Sequence, residues 1–522
     1  MTRILVTEKL AQSGLDAMAA AGNDVDVQLD LSPDELLAAV VGANALVVRS
    51  ATKVTAQVLE AGKDLVVVGR AGVGIDNVDA EAATRLGIMV VNAPESNILS
   101  AAEHAFALLL AQARNIPQAH SALVAGRWER SKWEGVELFG KTLGIVGFGR
   151  IGALIASRAR AFGMHPIAYD PYISPDRARQ FDVELVDLDE LVARSDFITI
   201  HLPKTPETTG LFGAELLAKT KPGARIVNAA RGGLVDEAAL ADAIRAGRVA
   251  GAALDVFAEE PTTTSPLFEL DTVVVTPHLG ASTSEAQDKA GEQIAEQIVL
   301  ALGGEFVPFA MNVPARSASP VVRPFLAIAE GLGRFVISLK EEFPDELEIE
   351  YQGVLAGEDT SILTLSVLKG ALSEGSEQPV SYVNANRLAE ERGLAIREIQ
   401  TTASPDRVSL ITVRAGGHVV GGTAAGEDGG SQIVFLDGHD VALQPSEHML
   451  IVRNDDRPGM IGLVGTAVGA AGVSIVNMAV GQTVGTGTAL MVLGLAAPLP
   501  DEVIDEVRKA PGIIDVHQVS GI

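Results

Sequence analysis

Cysteine is absent from the 522 residues. Structural disulfides, thiolate nucleophiles and cysteine-based metal sites are therefore excluded, and no metal site is expected. Aromatic residues make up only 4 %, so the core must be built from small aliphatic side chains. That usage suits helices covering buried parallel strands. Basic residues are the scarcer charge: 40 Lys and Arg stand against 67 Asp and Glu, a formal charge of −27. A surface so acidic disfavours nucleic acid and anionic membranes as partners, and it also serves solubility. An anionic substrate must then be caught by a local basic cluster working against the global field. Long apolar runs are missing too. The run Ala105 to Ala111 is too short to cross a bilayer. The opening residues enter a strand pattern directly and lack a signal-peptide layout, so a cytoplasmic protein is expected.

At roughly 100–200 residues per domain, the length implies about three or four domains. Over the first 95 residues, short apolar runs alternate with helical patterns. Ile4-Leu5-Val6, Ala45 to Val48 and Leu65 to Val68 are buried-strand candidates, and Pro33 to Val41 is helical behind the N-cap Ser32. This is the βαβ rhythm of a parallel sheet. A long helix is predicted from Ser100 to Arg114. Thr142 to Val146 opens a second βαβ series. Its later strands are predicted at Pro166 to Tyr169, Phe197 to His201, Arg225 to Asn228, Gly251 to Asp255 and Val273 to Thr276.

Ser284 to Leu302 is again helical, and Met311 to Pro314 reads as a return to the first domain. Ala315 to Pro320 is small, polar and proline-ended, as a linker should be. Residues 320–447 carry their own strands, helices and Gly-rich loops, one of them Ala425 to Gly430, and no catalytic constellation. From His448 the order is strand, helix, strand, strand, helix, strand. That is the βαββαβ ferredoxin-like plan.

Leu143-Gly144-Ile145-Val146 precedes Gly147-Phe148-Gly149-Arg150-Ile151-Gly152, and a helical run follows. GxGxxG alone is weak, but here it has a strand before it and a helix after. Gly147 allows the tight turn, Gly149 lets the backbone approach a pyrophosphate, and Gly152 lets helix and strand pack closely. The helix N-terminus offers N–H groups and positive dipole to phosphates. Asp170, eighteen residues past Gly152, can accept from the adenosine ribose and repel a 2′-phosphate. NAD is therefore favoured over NADP.

Three segments stand at predicted strand ends: Asn228 to Gly232, Asp255 to Pro261 and Thr276 to Gly280. Oxidising a hydroxy acid needs a base, a cation for the carboxylate and a hydride acceptor. His278 suits the base, because its pKa lies near working pH. Glu260 suits the carboxylate that orients it. Arg231 can grip a carboxylate bidentately. Singly, these are an ordinary loop His, surface Glu and helix-cap Arg; together, behind a dinucleotide fingerprint, they point to a dehydrogenase.

The chain resembles the D-2-hydroxyacid dehydrogenase family in its long bacterial form, over essentially its whole length. The resemblance rests on Val48-Arg49-Ser50, the run Gly69 to Asp79, Asn92-Ala93-Pro94 with Ser96-Asn97, the Gly147–Gly152 fingerprint and the three segments above. It implies an α/β fold in which a Rossmann-type nucleotide domain is inserted in a flavodoxin-like substrate domain. An α+β intervening domain and a ferredoxin-like ACT domain follow. The implied divisions are 1–97 with 281–315 for the substrate domain, 98–280 for NAD, 316–447 for the intervening domain and 448–522 for the ACT domain. The resemblance also implies that Arg231, Glu260 and His278 are catalytic. Arg150, Ile151, Asp170, Ala229, Ala230, Asp255, Leu279, Gly280 and Ala281 match cofactor contacts, beside Arg231 and His278 themselves. Arg49, Ser50, Gly72, Val73 and Gly74 match substrate-anion contacts, with Arg70 a further candidate, and Trp128 and Lys132 are candidates from a neighbouring subunit. Some relatives carry a second cation where Ala51 stands here.

The activity implied is NAD-dependent oxidation of D-3-phosphoglycerate, the entry to serine synthesis, by a homo-oligomer (dimer or tetramer) acting on a small-molecule substrate. Two other readings stay open: a reductase for hydroxypyruvate or glyoxylate, and a non-catalytic NAD sensor. Residues from 448 onward resemble an ACT domain, which senses small molecules at a domain pair. Its effector positions correspond to Asn454, Asp456 and Ser474. Serine-sensing relatives carry Asn where Ser474 stands, so weak or absent serine inhibition is expected. In the intervening domain, Gln432 and Gln444 stand where some relatives bind an anion with Lys and Arg, which implies a structural role.

Overall fold

A computed structural model describes residues 2–314, 318–340, 342–373, 376, 380–403, 408–425, 430–482 and 488–521. The linker residues 315–317 and loop residues 426–429 lie outside these. Four sheets organise the described chain. The first holds five parallel strands in the order Asp24–Val27, Arg3–Val6, Ala45–Val48, Val67–Arg70, Met89–Asn92. That is the flavodoxin-like order, in which ligands lie beyond the carboxyl ends of the strands. Its helices start where the side chains dictate. At Pro33–Ala39 the Ser32 hydroxyl accepts from the Glu35 N–H while Glu35 reaches back to the Ser32 N–H, a reciprocal capping box.

The second sheet is seven-stranded and parallel: Val273–Val275, Val249–Leu254, Ala224–Asn228, Phe197–Ile200, Thr142–Val146, His165–Tyr169, Glu184–Leu185. Sequence order reverses between Phe197–Ile200 and Thr142–Val146, the switch point where a doubly wound fold opens its crevice. The chain then returns to the first sheet. Met311 N–H donates to the Val90 carbonyl (2.7 Å), and Asn312 Oδ1 accepts from Val90 N–H (2.8 Å). The helix Ser284–Leu302 lies along the helix Gln12–Ala20.

The third sheet runs Ala395–Thr401, Glu346–Gly353, Ser409–Ala415, His418–Ala425, Gly430–Leu436, His439–Leu443. All neighbours in it are antiparallel except the first pair. The helices Leu326–Ser338 and Ser361–Ser373 pack on one another beside it. The fourth sheet is antiparallel, in the order Ile475–Gln482, Ala489–Leu495, His448–Asn454, Ile513–Ser520. With the helices Met460–Ala470 and Asp501–Lys509 it completes the expected βαββαβ plan. Among the described residues no helix is long and apolar enough to cross a membrane.

One strand differs from its prediction in a way that matters for the site. The apolar run Leu65 to Val68 placed a strand there, but the strand is Val67–Arg70. The Leu65 N–H closes a turn onto the Gly62 carbonyl (3.0 Å), and pairing continues through Gly69 and Arg70 to Asn92. Hydrophobicity ends at Val68, while backbone pairing does not. Arg70 therefore sits at the carboxyl end of a central strand.

The join between the two halves of the first domain depends on a close helix approach. A Cβ on Gly14 would lie 2.6 Å from the Gly291 carbonyl oxygen, and one on Gly291 would lie 3.0 Å from the Ala11 side chain. Gly14→Val should separate these helices and cost about 1–3 kcal/mol, the usual penalty of overpacking. Thermal or urea melting checks it; an unchanged transition would show that the contact has room to spare.

Candidate active site

The strand Thr142–Val146 ends in Gly147, whose φ of 96° suits glycine. A Cβ there would also meet the His201 carbonyl oxygen at 2.6 Å, and one on Gly152 would meet the Gly147 carbonyl oxygen at 2.4 Å. Gly149 faces open space with nothing within 4 Å of its Cβ position, directly before the helix Arg150–Ala161. This is a cradle with an open mouth at a helix N-terminus, as a pyrophosphate requires. Asp170 follows the next strand, where its two oxygens accept from the N–H groups of Phe148 (2.8 Å) and Tyr172 (2.9 Å). These bonds hold its carboxylate beside the glycine turn. Arg150 reaches the other way, donating to Glu95 Oε1 at 2.7 Å.

His278 and Glu260 come together from two different strand-end loops. His278 Nδ1 lies 2.6 Å from Glu260 Oε2. Glu260 Oε1 accepts from the Phe257 N–H (2.8 Å), which fixes the carboxylate from its other side. Burial alone would raise the Glu260 pKa, but hydrogen bonds from His278 and the Phe257 N–H outweigh it. The carboxyl is held below its ordinary value. An ionised carboxylate only accepts, so Nδ1 carries the proton and Nε2 is left as the base. His201 offers no competing base: burial drives its pKa down to about 3, and its Nε2 is bonded to Thr199 Oγ1 (2.8 Å).

Asp255, expected among the cofactor contacts, also holds the turn that carries His278. Its side chain is fully buried. Oδ1 accepts from Thr276 Oγ1 (2.6 Å) and Leu279 N–H (2.7 Å), and Oδ2 accepts from Gly280 N–H (2.8 Å). Burial would raise its pKa, yet these bonds and one from His104 hold it below the carboxylate norm. Asp255 thus shapes the turn of residues 278–280 from behind, and Oδ2, with a single donor, keeps capacity for one more. His278 sits in that turn at φ 54°, a conformation L residues seldom adopt.

One cavity of about 710 Å³ gathers the sequence candidates. Arg49, Ser50, Gly72, Glu260, His278 and Ala281 all line it, with Ala51, Arg70, Ser96 and Asn97. Arg231 is not on its wall but stands at its edge. A Cβ on Gly74 would touch Arg231 Nη2, and Arg231 Nε lies 3.6 Å from Asp76 Oδ2. Arg70 lies across Gly72, which has no side chain to block it, since a Cβ there would sit 1.6 Å from Nη1. Burial, with repulsion from Arg231, lowers the Arg70 pKa to about 10. Among the described residues it makes no ion pair, and its buried Nε has no hydrogen-bond partner. Lys132, by contrast, pairs with Asp271 (2.8 Å), and neither it nor Trp128 lines the cavity.

Two supports had no role assigned from the sequence. Glu8 accepts from the N–H groups of Arg49 (2.8 Å), Thr52 (2.9 Å) and Ala51 (3.2 Å), holding the anion loop open. Asn92 Nδ2 donates to the Val73 carbonyl (2.6 Å). A polar residue just past a buried strand is the signal that could have found both.

The effector candidates are not brought together within one chain. Asn454 is buried, donating to the Ala489 carbonyl (3.2 Å) and accepting from the Asp456 N–H (3.0 Å). Its side chain braces the turn. Asp456 and Ser474 are exposed at opposite ends of the helix Met460–Ala470. Its eleven residues separate them by roughly 16 Å.

A dinucleotide cradle facing an acid–base pair and a cationic cavity defines a nicotinamide-dependent 2-hydroxyacid dehydrogenase. Comparisons with known proteins agree. Residues 106–280 match the D-isomer specific 2-hydroxyacid dehydrogenase NAD binding domain, and residues 321–428 match the D-3-phosphoglycerate dehydrogenase intervening domain. D-3-phosphoglycerate dehydrogenase of Mycobacterium leprae is 52 % identical over 514 residues, covering 97 % of both chains. Its counterpart from Methanocaldococcus jannaschii is 42 % identical and covers all of both. Among solved structures, a Thermus thermophilus protein matches 59 % of this chain and 100 % of its own, at 36 % identity and TM-score 0.55. D-lactate dehydrogenase of Aquifex aeolicus with NAD and lactic acid matches 58 % of this chain and 96 % of its own, at 26 % identity and TM-score 0.52. The chain belongs to the D-3-phosphoglycerate dehydrogenase family, and its cofactor is NAD.

The depressed Glu260 pKa has a definite consequence. Its stabilising bonds are fully present above the ordinary glutamate value of 4.5 and are lost as pH falls through the lower folded value. Activity that depends on Glu260 should therefore persist to unusually acidic pH on that account. Glu260→Gln should keep the fold but shift the pH–rate profile, because protonated His278 loses its carboxylate partner. An unchanged profile would remove Glu260 from this role.

Proposed function

We propose that this chain oxidises D-3-phosphoglycerate at C2 to 3-phosphohydroxypyruvate, the entry to L-serine synthesis. The supporting observation is that the His278–Glu260 pair shares one cavity with Arg49 and Arg70, beside Arg231. In this reading the His278 Nε2 takes the C2 hydroxyl proton. Glu260 stabilises the imidazolium that results. Arg231 grips the substrate carboxylate and polarises the reacting oxygen. Arg49, Ser50 and the backbone of Gly72, Val73 and Gly74 receive the phosphate. Arg70 adds cationic charge to a wall where Ala51 has none. Bound NAD supplies the acceptor for the C2 hydride.

Cofactor contacts in the same proposal are Gly147, Gly149, Arg150, Ile151, Gly152, Asp170, Ala229, Ala230 and the turn from His278 to Ala281. Arg150 then exchanges Glu95 for a phosphate oxygen. The four-domain division at residues 97, 280, 315 and 447 belongs to this reading, since each part carries its own sheet. So does a cytoplasmic homo-oligomer, dimer or tetramer. The exposed apolar side chains Leu123, Val124, Trp128 and Phe139 around the helix Ile116–Val124 support assembly.

Two measurements test the core of the proposal. His278→Ala should lower kcat by roughly 10²–10⁴-fold, the usual worth of a positioned acid–base group. Wild type should prefer D-3-phosphoglycerate over D-glycerate in kcat/KM by roughly 10- to 150-fold or more, the value of a lost hydrogen bond to a charge. Equal rates on the two substrates would favour a general 2-keto acid reductase. For the cofactor, Asp170→Ala should weaken NAD and narrow its advantage over NADP. Wild-type use of NADP as readily as NAD would refute the role given to Asp170.

Regulation follows from the terminal domain. With Asn454 turned inward and Ser474 in place of a longer amide, L-serine should inhibit weakly or not at all. A serine titration of the initial rate, repeated on Ser474→Asn, checks this. Strong micromolar inhibition of wild type would defeat the expectation, and sensitivity that sharpens in Ser474→Asn would locate the effector site.

A further inference from the structure

The bonds that hold Asp255 include one donor that the proposed chemistry leaves without a role. His104 stands on the helix Ile98–Ala113, outside all the motifs that define the site. Its Nε2 lies 3.1 Å from Thr276 Oγ1 and 3.1 Å from Asp255 Oδ1. The Thr276 hydroxyl already donates its proton to Asp255 Oδ1 at 2.6 Å. An ionised carboxylate can only accept. Both contacts therefore require His104 to donate, which places its ring proton on Nε2. The side chain is 21 % exposed, so water competes poorly for that proton.

We infer that His104 is a positioning residue for the reaction: its Nε2–H completes the hydrogen bonding of the Thr276–Asp255 pair, and through Asp255 it fixes the turn that carries His278. The inference rests on the proposed role of His278 and on the turn from His278 to Ala281 bordering the cofactor. The mechanical chain is short. Asp255 Oδ1 and Oδ2 hold the Leu279 and Gly280 N–H groups at 2.7 and 2.8 Å, and the Asp255 carbonyl accepts from the His278 N–H at 2.8 Å. His278 at φ 54° persists only while its neighbours over-determine it. Take away the His104 donor and the buried Oδ1 keeps only Thr276 and Leu279, while the Thr276 hydroxyl loses the donor that orients it. The Thr276 hydroxyl is then freer to rotate, the carboxylate it holds shifts with it, and the Leu279 bond, which shares Oδ1, loosens. His278 drifts from its alignment with Glu260, and the cofactor edge of the turn moves too.

The position of His104 adds a second consequence. Its helix leads from the first sheet to the second, and near its start Ser100 Oγ lies 2.8 Å from Thr283 Oγ1, the N-cap of the helix Ser284–Leu302. The donor that orders the catalytic turn is thus mounted on the segment that also joins the two halves of the cavity. Alignment of His278 is coupled to the seating of that helix.

The test uses the full chain as wild type, His104→Leu and His104→Gln. Leucine keeps apolar bulk without a donor, whereas the glutamine amide offers an N–H where Nε2–H was. Steady-state kinetics with NAD and D-3-phosphoglycerate are paired with NADH binding by fluorescence. His104→Leu should lower kcat roughly 10- to 150-fold, the worth of one hydrogen bond to a buried charge. KM for D-3-phosphoglycerate should stay within about threefold, since the anion contacts are untouched. NADH should bind more weakly. His104→Gln should recover most of both losses. Equal losses in the two variants overturn the inference, because packing alone then explains the position. So does a kcat for His104→Leu within about twofold of wild type. If His104→Leu fails to fold, the decision passes to His104→Gln and Thr276→Val. Near-normal kcat in the first with a reduced kcat in the second supports the inference, and any other combination overturns it. A wild type that binds NADH yet leaves D-3-phosphoglycerate unchanged defeats the substrate assignment instead. NADH binding then decides the inference alone, by the same contrast between His104→Leu and His104→Gln.

Discussion

The Asp255 carboxylate is a charge with no access to water, and the geometry of the site depends on how it is satisfied. An ionised group buried at the end of the strand Val249–Leu254 would be costly if unpaired. Thr276, Leu279, Gly280 and His104 supply its donors. Those same bonds close the turn that presents His278 at a backbone angle it would not adopt alone. The acid–base pair is therefore assembled from behind. Glu260 and the imidazole meet in front of a turn whose shape is set by a carboxylate the substrate does not reach.

Close backbone approach does comparable work at the other end of the crevice. Gly147 and Gly152 stand where a Cβ would collide with carbonyl oxygens, and the strand–turn–helix unit fits because both lack one. In the first domain, Gly14 and Gly291 let two helices from distant parts of the chain touch. The second of those helices contributes Ala286, Gln287 and Ala290 to the cavity wall. Tight helix contact and the shape of the substrate cavity are thus one constraint.

Electrostatics complete the arrangement. The chain carries a formal charge of −27, a field that repels an anionic substrate. Arg49 and Arg70 on the cavity wall, with Arg231 near enough to act on Arg70, counter it locally. Burial, with repulsion from Arg231, lowers the pKa of Arg70, and an incoming carboxylate or phosphate would relieve both. A basic cluster whose buried member, Arg70, makes no ion pair among the described residues suits an anion.

Much of this was legible in the residues, for a definite reason. The glycine fingerprint, the apolar strand runs and the βαββαβ order of the last segment are local patterns, written within stretches where neighbours in sequence are neighbours in space. The strand Thr142–Val146 and the helix Ser284–Leu302 coincide with their predicted bounds. Chemistry at strand ends was equally readable, which is why Arg231, Glu260 and His278 stood out together. The exceptions are contacts between distant segments. Pairing carried the strand Val67–Arg70 beyond its apolar run. The turn before the helix Met460–Ala470 buried Asn454, and the hydrogen-bond demand of Asp255 drew His104. Sequence by itself determined the architecture, the glycine turn of the nucleotide fold and the candidate acid–base residues, because periodicity and glycine chemistry act locally. Only the tertiary structure decided which polar groups face the cavity and which are consumed holding it open, because a buried donor must be matched by whatever acceptor the fold brings within 3 Å.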